Sequence, residues 1–384
     1  MMGDCLEIMK KGIKDDTVDL IVTDPPYGLS FLGSDWDKAV PSIDTWKECI
    51  RVLKPGAFAF IMSSPRMDCL GEMSRRLQEA GFKVGFTPIF WTYMTGFPKA
   101  MNIYKKLGVK DESLKGAYAG FQPKPSLEVI IVAMKPLSEK TYLEQVKRNG
   151  KGVTWLDDCR IPHAERQVPS TRKGGGGTVF NESNSGLRRY VPSFSSPDTR
   201  GRFVPNLLVT DDALNDGSVR VTSPHGGDRE KLDTRERGWG FKRLPYDSSD
   251  VGSASKYFDL DRWWEKRVTS LPPSVQTTFP FLIVPKPSNR ERDSGLGEGG
   301  NIHLSVKPLK LMSYLVTLGS REGDLVLDPF LGSGTTLISS CLLGRRCIGI
   351  ERDEKYVDIA RKRFIYYNGG RNESIDSYLT VVSQ

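Results

Sequence analysis

The chain has 384 residues, 38% hydrophobic and 27% charged, and its 55 Lys and Arg against 47 Asp and Glu give a formal charge of +8. That composition supplies a core for one large or two ordinary domains and excludes intrinsic disorder as the overall class. No apolar run approaches the roughly 18 residues of a membrane span, and the opening MMGDCLEIMKK lacks the long apolar stretch of a signal peptide, so a soluble cytoplasmic protein with no membrane partner is expected.

In chain order, DLIVTDPPYG (19 to 28) reads as a short buried strand running into a Pro-Pro turn, and Trp46 to Leu53 has helical spacing that stops at Lys54-Pro55-Gly56. AFAFIMSS (57 to 64) is a second buried strand, Asp68 to Ala80 a helix closed by Gly81, and FKVGFTPIFWTY (82 to 93) a third extended segment. EVIIVAMKP (128 to 136) is one more strand of the same kind. Strands spaced by helices of this length predict a parallel sheet with helices on both faces. From about 145 to 280 Gly, Ser, Pro and Arg become common and no period persists beyond short pieces such as FVPNLLV (203 to 209), which predicts an insertion rather than more sheet. Regular texture returns at PFLIVPKP (280 to 287). It continues with a helix from Lys307 to Thr317, the strand DLVLDPF (324 to 330), a helix after Gly334, the strand RCIGIE (346 to 351) and a helix from Glu354 to Tyr367.

Six cysteines are scattered without a CxxC, and the three histidines His163, His225 and His303 are each isolated. Metal sites need clustered ligands at short spacing, so neither a metal nor disulfides are expected.

Two stretches carry chemistry. DLVLDPFLGSGTT is a strand, a tight glycine turn and a helix start, in which Gly332 and Gly334 let a ligand approach the backbone and the helix offers free amides. A strand followed by glycines also serves as an ordinary turn, and the GxGxxG fingerprint fails at Leu337. The next strand, however, ends in Glu351, 17 residues past Gly334, where an acid can accept both hydroxyls of a ribose. DPPYG, residues 24 to 28, places a carboxylate, two prolines and an aromatic directly after a buried strand, at the sheet edge where open α/β sheets bind ligands.

DPPYG, preceded by GDCLEIM and VDLIVT and followed far downstream by NIHLSVKPLKLMSYLV and DPFLGSGTT, resembles the beta class of S-adenosylmethionine-dependent DNA amino-methyltransferases. The resemblance covers roughly residues 1 to 135 and 280 to 367, and the order of motifs, catalytic half first and cofactor half last, defines that class. It implies a Rossmann-like methyltransferase fold, α/β with a mostly parallel sheet flanked by helices, plus an irregular inserted DNA-recognition region. The expected division is 1–144 for the catalytic half, 145–280 for the target-recognition insertion and 281–384 for the cofactor half.

The resemblance further implies that Asp24 and the carbonyl of Pro25 accept the two protons of an exocyclic base amine and turn its lone pair toward the sulfonium methyl. Pro26 stiffens the turn, and Tyr27 stacks on a base extruded from double-stranded DNA. S-adenosylmethionine is the implied cofactor. Asp328, Phe330, Gly332, Ser333 and Gly334 fall to its methionine part, Glu351 to its ribose and Asp4 to its adenine side. Lys307, beside Pro308, sits in a motif that helps hold the methionine end, although Pro308 also suits simple helix initiation. Only Met1 and Met2 precede Gly3-Asp4 where the family has a few residues of strand, and YLTVV (378 to 382) is a candidate for that edge.

Between 166 and 202 seven basic residues, among them Arg172, Lys173, Arg188 and Arg189, face only Glu182 and Asp198, with glycines and aromatics interleaved. This composition suits a mobile arm that follows phosphates, or a solvated charged loop. Asp rather than Ser at the head of DPPY favours adenine N6 over cytosine N4 as the acceptor. An RNA or protein methyltransferase fits the motif order and the insertion less well, and a nucleotide-binding module without catalysis leaves DPPYG unexplained. Many relatives form homodimers, but neither an interface nor a restriction endonuclease partner is inferable from the sequence.

Overall fold

The computed structural model describes residues 1–30, 33, 35–92, 100–107, 112–121, 126–161, 203, 205–209, 220–222, 250–252, 260–268, 289–297, 300–303 and 305–368. It begins with α1 (Cys5–Gly12), β1 (Val18–Thr23), α2 (Ile43–Val52), β2 (Leu53–Ser63), α3 (Met67–Glu79) and β3 (Ile89–Thr92). Next come α4 (Ile103–Leu107), β4 (Leu127–Met134), α5 (Tyr142–Asn149), β5 (Leu207–Val209), β6 (Arg220–Thr222), β7 (Asp250–Gly252) and α6 (Leu260–Val268). The last third holds α7 (Asn289–Arg292), α8 (Leu309–Gly319), β8 (Leu325–Asp328), α9 (Thr335–Leu342), β9 (Arg346–Gly349) and α10 (Glu354–Tyr367). No helix among the described residues is long and apolar enough to cross a membrane.

Seven strands form one sheet in the order β5-β3-β4-β2-β1-β8-β9. The pairs β1/β2, β1/β8, β8/β9 and β3/β5 are parallel, while β4 runs antiparallel to both β2 and β3. The result is a mostly parallel, Rossmann-like sheet with one reversed strand. Period-2 alternation along β2 sends Phe58, Phe60 and Met62 into one core and Ala57, Ala59 and Ile61 into the other. The first core is covered by α6, α8, α9 and α10 through Trp263, Leu311, Leu315, Ile338 and Phe364. The second is covered by α1, α2 and α3 through Met9, Trp46, Cys49, Met73 and Leu77. The layers are therefore helix, sheet, helix.

Three features depart from the sequence reading. β4 is reversed, and an apolar run buried on both faces reads the same in either direction. Lys54-Pro55-Gly56 does not separate helix from strand but lies inside β2, where the register slips between the pairs Val18/Leu53 and Leu20/Phe58. Pro55 has no N–H for the ladder, so the chain bulges there. The expected insertion also contributes to the main body. β5 extends the sheet beside β3, Cys159 and Ile161 join the first core together with Trp263 and Trp264, and the Trp155 amide donates to the Leu318 carbonyl at 2.8 Å. PFLIVPKP, the basic stretch 166–202 and YLTVV lie outside the described residues.

Candidate active site

From β1 the chain crosses through α2 to β2 on one side, and from β8 it crosses through α9 to β9 on the other. The carboxyl ends of β1 and β8 therefore flank a topological switch point, where open α/β sheets leave a crevice. Leu20 pairs with Val326 and Ile21 with Leu327, so Asp24 and the glycine turn after Asp328, about 300 residues apart in sequence, leave the sheet side by side. The Thr23 hydroxyl donates to Asp328 Oδ1 at 2.7 Å and ties the two loop origins together. Burial pushes the Asp328 carboxyl up to about 6, against the hydrogen bonds from Thr336, Thr23 and the Phe330 amide.

The loop after β1 is braced by Asp37, which sequence reasoning did not single out. Its buried carboxylate accepts the amides of Tyr27 at 2.7 Å, Gly28 at 3.0 Å and Leu29 at 3.3 Å. Pro25 is buried and Pro26 half-buried, which leaves the loop little freedom. Asp24 is held from both sides. Its Oδ1 accepts the Tyr27 hydroxyl at 2.6 Å and its Oδ2 the Lys307 ammonium at 2.5 Å. A second acid, Glu128 at the start of β4, places Oε2 3.1 Å from the same hydroxyl and 3.5 Å from the same ammonium. It reaches this edge because β4 is reversed. Burial, then Asp24 and Glu128, raise the Tyr27 phenol well above its ordinary value, so it keeps its proton. Burial pulls the Lys307 ammonium down, but the two carboxylates outweigh it and leave the pKa above the ordinary value.

Lys307 was expected toward the methionine end of a cofactor, and in the structure its ammonium sits on Asp24. The partners lie 283 residues apart, and local sequence carries no signal for such a pair. Tyr27 likewise has its hydroxyl committed, and Lys307 Nζ lies 5.6 Å from its ring centroid.

On the other loop, Gly332 and Gly334 adopt φ values of +53° and +86°. A Cβ at Gly332 would meet His303 Nε2 at 2.7 Å and one at Gly334 would meet the Ala360 Cβ at 2.9 Å, so the backbone requires glycine for both conformation and space. Ser333 was expected to face a ligand, but its hydroxyl and carbonyl turn inward to Arg363 Nη1 at 3.1 and 2.6 Å. Arg363, fully buried on α10, thus holds the turn from below. The Phe330 ring packs on Trp46 with centroids 6.2 Å apart. Glu351 Oε2 accepts the Gly332 amide at 2.9 Å, and Oε1 accepts those of Arg352 and Asp353, each at 2.9 Å. A carboxylate has about four acceptor positions, so one, on Oε2, is left for a hydroxyl.

Asp4 is brought to the same corner, since Met2 bridges to Glu351 and the Gly3 amide donates to the Glu351 carbonyl at 2.8 Å. Its side chain is exposed and caps α1 by accepting the amides of Leu6 and Glu7 at 2.9 and 3.2 Å. Residues 1–3 lie beside Glu351, and YLTVV, expected near that edge, lies outside the described residues. Arg172, Lys173, Arg188 and Arg189 lie outside the described residues.

Over 66 residues the chain is 47% identical to the type II methyltransferase M.HinfI of Haemophilus influenzae, a stretch of 17% of this chain and 18% of that protein. Over 61 residues it is 48% identical to the type II methyltransferase M2.DpnII of Streptococcus pneumoniae, covering 16% of this chain and 23% of that one. The chain thus matches less than a quarter of the length of either of these curated relatives. Among solved structures, the cytosine-N4-specific PvuII DNA methyltransferase is 13% identical with a TM-score of 0.46, covering 98% of this chain and 87% of that one. A complex of M1.HpyAVI with S-adenosylmethionine is 17% identical with a TM-score of 0.39, covering 94% and 96%. The family match runs from residue 18 to residue 362 and takes in both the Asp24 loop and the glycine turn, so the chain belongs to the N6/N4 DNA methylase family.

Proposed function

We propose that this chain transfers a methyl group from S-adenosylmethionine to the exocyclic N6 amine of an adenine flipped out of double-stranded DNA. The observation that carries this reading is the juxtaposition of Asp24 with the glycine turn across the β1/β8 switch point, tied by the Thr23–Asp328 hydrogen bond of 2.7 Å. The residues of the second loop fit the cofactor. Glu351 retains an acceptor position for a ribose hydroxyl, and buried Asp328 stands at the head of the glycine turn, where it would help hold the amino acid end of the cofactor.

S-adenosylmethionine supplies an electrophilic methyl group on a sulfonium, and the remaining tasks fall to the chain. An exocyclic amine is a poor nucleophile because its lone pair is delocalised into the ring. Asp24 and the Pro25 carbonyl accept hydrogen bonds from its two N–H groups and so turn that lone pair for in-line attack. Asp37 fixes the loop that carries both acceptors, so their spacing is set before the base arrives. Asp at the head of the motif favours adenine N6, and cytosine N4 is the alternative acceptor within the same geometry. Mass spectrometry of nucleosides from DNA treated with the protein and labelled S-adenosylmethionine decides between them. N6-methyldeoxyadenosine is expected; N4-methyldeoxycytidine would move the acceptor to cytosine, and no labelled nucleoside would overturn the reading.

A further inference from the structure

Asp24 and Glu128 compete for the same two donors. The Tyr27 hydroxyl carries one proton and can donate to only one of them at a time, and the Lys307 ammonium lies between them. Asp24 holds the shorter contact with both, 2.6 and 2.5 Å against 3.1 and 3.5 Å for Glu128. The Lys307 side chain is 7% exposed, that of Glu128 15% and that of Asp24 16%, so water compensates little here. With an ammonium on one oxygen and a hydroxyl on the other, Asp24 has its charge dispersed and its best acceptor positions taken. A base amine, a weak neutral donor, competes poorly for what is left.

We propose that Glu128 is a positioning residue that unmasks Asp24: it takes over the Lys307 ammonium and the Tyr27 hydroxyl when the base amine arrives. The proposal rests on the methyl-transfer reading of the site. The displacement is short. Lys307 Nζ stands 3.5 Å from Glu128 Oε2, and an ordinary charged hydrogen bond of about 2.8 Å needs a shift of less than about 1 Å. The ammonium keeps a carboxylate partner throughout, because it passes from one to the other within a single cluster, and Asp24 exchanges it for the hydrogen bond of the arriving amine. Without the Glu128 charge, the ammonium stays on Asp24. The three charged groups sum to −1. Removing Glu128 alone makes the cluster neutral and locks the ion pair, whereas removing Lys307 as well restores −1 on an Asp24 that keeps only the Tyr27 hydroxyl.

The test compares methyl transfer to DNA by the wild type, Glu128→Gln and the double variant Glu128→Gln with Lys307→Met. Glu128→Gln is expected to lower kcat at least ten-fold while the dissociation constant for S-adenosylmethionine stays within two-fold. The double variant is expected to recover at least half of that loss on a logarithmic scale. A purely structural role for Glu128 predicts instead that the second substitution deepens the loss. If Glu128→Gln folds poorly, Glu128→Asp keeps the charge but withdraws it by one methylene, and the same fall in kcat is expected. Full turnover in Glu128→Gln, or a double variant no more active than the single one, overturns the proposal and leaves the methyl-transfer reading standing. A wild type that labels no DNA overturns both.

Discussion

The proposed reaction rests on Asp24, and Asp24→Asn isolates its charge. The amide keeps the size of the side chain and an oxygen for the Tyr27 hydroxyl, and Lys307 retains Glu128 as a partner, so the fold should survive. Loss of a preorganised acceptor of this kind costs on the order of 10²–10³ in kcat. Cofactor affinity by calorimetry should stay within a few-fold, and a variant keeping a tenth of wild-type turnover would remove Asp24 from the mechanism. Glu351→Gln should act the other way. Its carboxylate accepts amides on both oxygens, so whichever way the Gln amide turns, its NH2 faces a backbone donor. A rise of at least about ten-fold in the dissociation constant for S-adenosylmethionine, roughly 1.4 kcal/mol, is expected, with kcat at saturating cofactor largely retained. An unchanged constant would detach Glu351 from the cofactor. Asp24, Gly332, Gly334 and Glu351 are legible in the sequence because each belongs to a contiguous motif. Glu128 and the true setting of Lys307 are not, because their contacts join positions 101 and 283 residues apart. The one local signal for Glu128 was an acid opening the otherwise apolar strand EVIIVAM.

Between elements, the same limit governs strand direction. The apolar runs of β1, β2, β4 and β8 are all readable from sequence, but only the register shows that β4 is reversed and so delivers Glu128 to the edge that carries Asp24. FVPNLLV, which holds β5, stood out in the sequence only as a short piece, because three residues are too few to assign to a sheet, and its place beside β3 is set by pairing across more than 110 residues. The junction of α7 and α8 gives a test at this scale. Buried Glu291 accepts the Leu309 amide at 2.8 Å, and burial pushes its carboxyl up to about 7, against the pull of that amide, Arg363 and Lys310. Because the folded value lies above the ordinary 4.5, the folded state holds the proton more tightly than the unfolded one. The stability this confers is present below about pH 4.5 and is lost as pH rises through about 7, a cost of the order of 3 kcal/mol at most. Glu291→Gln keeps the acceptor for Leu309 and cannot ionise. Denaturation measured at pH 5 and pH 8 should show a smaller drop in stability for the variant than for the wild type, and equal drops would mean that Glu291 is not the group responsible.

Across the whole molecule, charge is unevenly distributed in a way that bears on DNA. The described body pairs many of its cations internally: Lys151 and Lys54 both meet Asp19, Arg51 meets Asp15 and Glu48, and Arg75 and Arg76 share Glu72. Residues 166 to 202 carry seven basic and two acidic side chains, 7 − 2 = +5, against +8 for the entire chain. Most of the net positive charge thus sits in one stretch, outside the described residues and rich in glycine. The proposed role of such a stretch is to gain affinity by displacing counterions from phosphates rather than by reading base edges. Replacing Arg172, Lys173, Arg188 and Arg189 together by Gln should therefore weaken binding to any DNA sequence alike, and should reduce the slope of log affinity against log salt by about 0.9 for each phosphate that is no longer neutralised. Cofactor affinity should not move, since the glycine turn and Glu351 are held by Arg363 and by backbone amides of the body. Fluorescence anisotropy with a cognate and a scrambled duplex across a salt series measures both effects. An unaltered slope would mean that the phosphates are gripped elsewhere, and a loss confined to the cognate duplex would make these four residues readers of sequence.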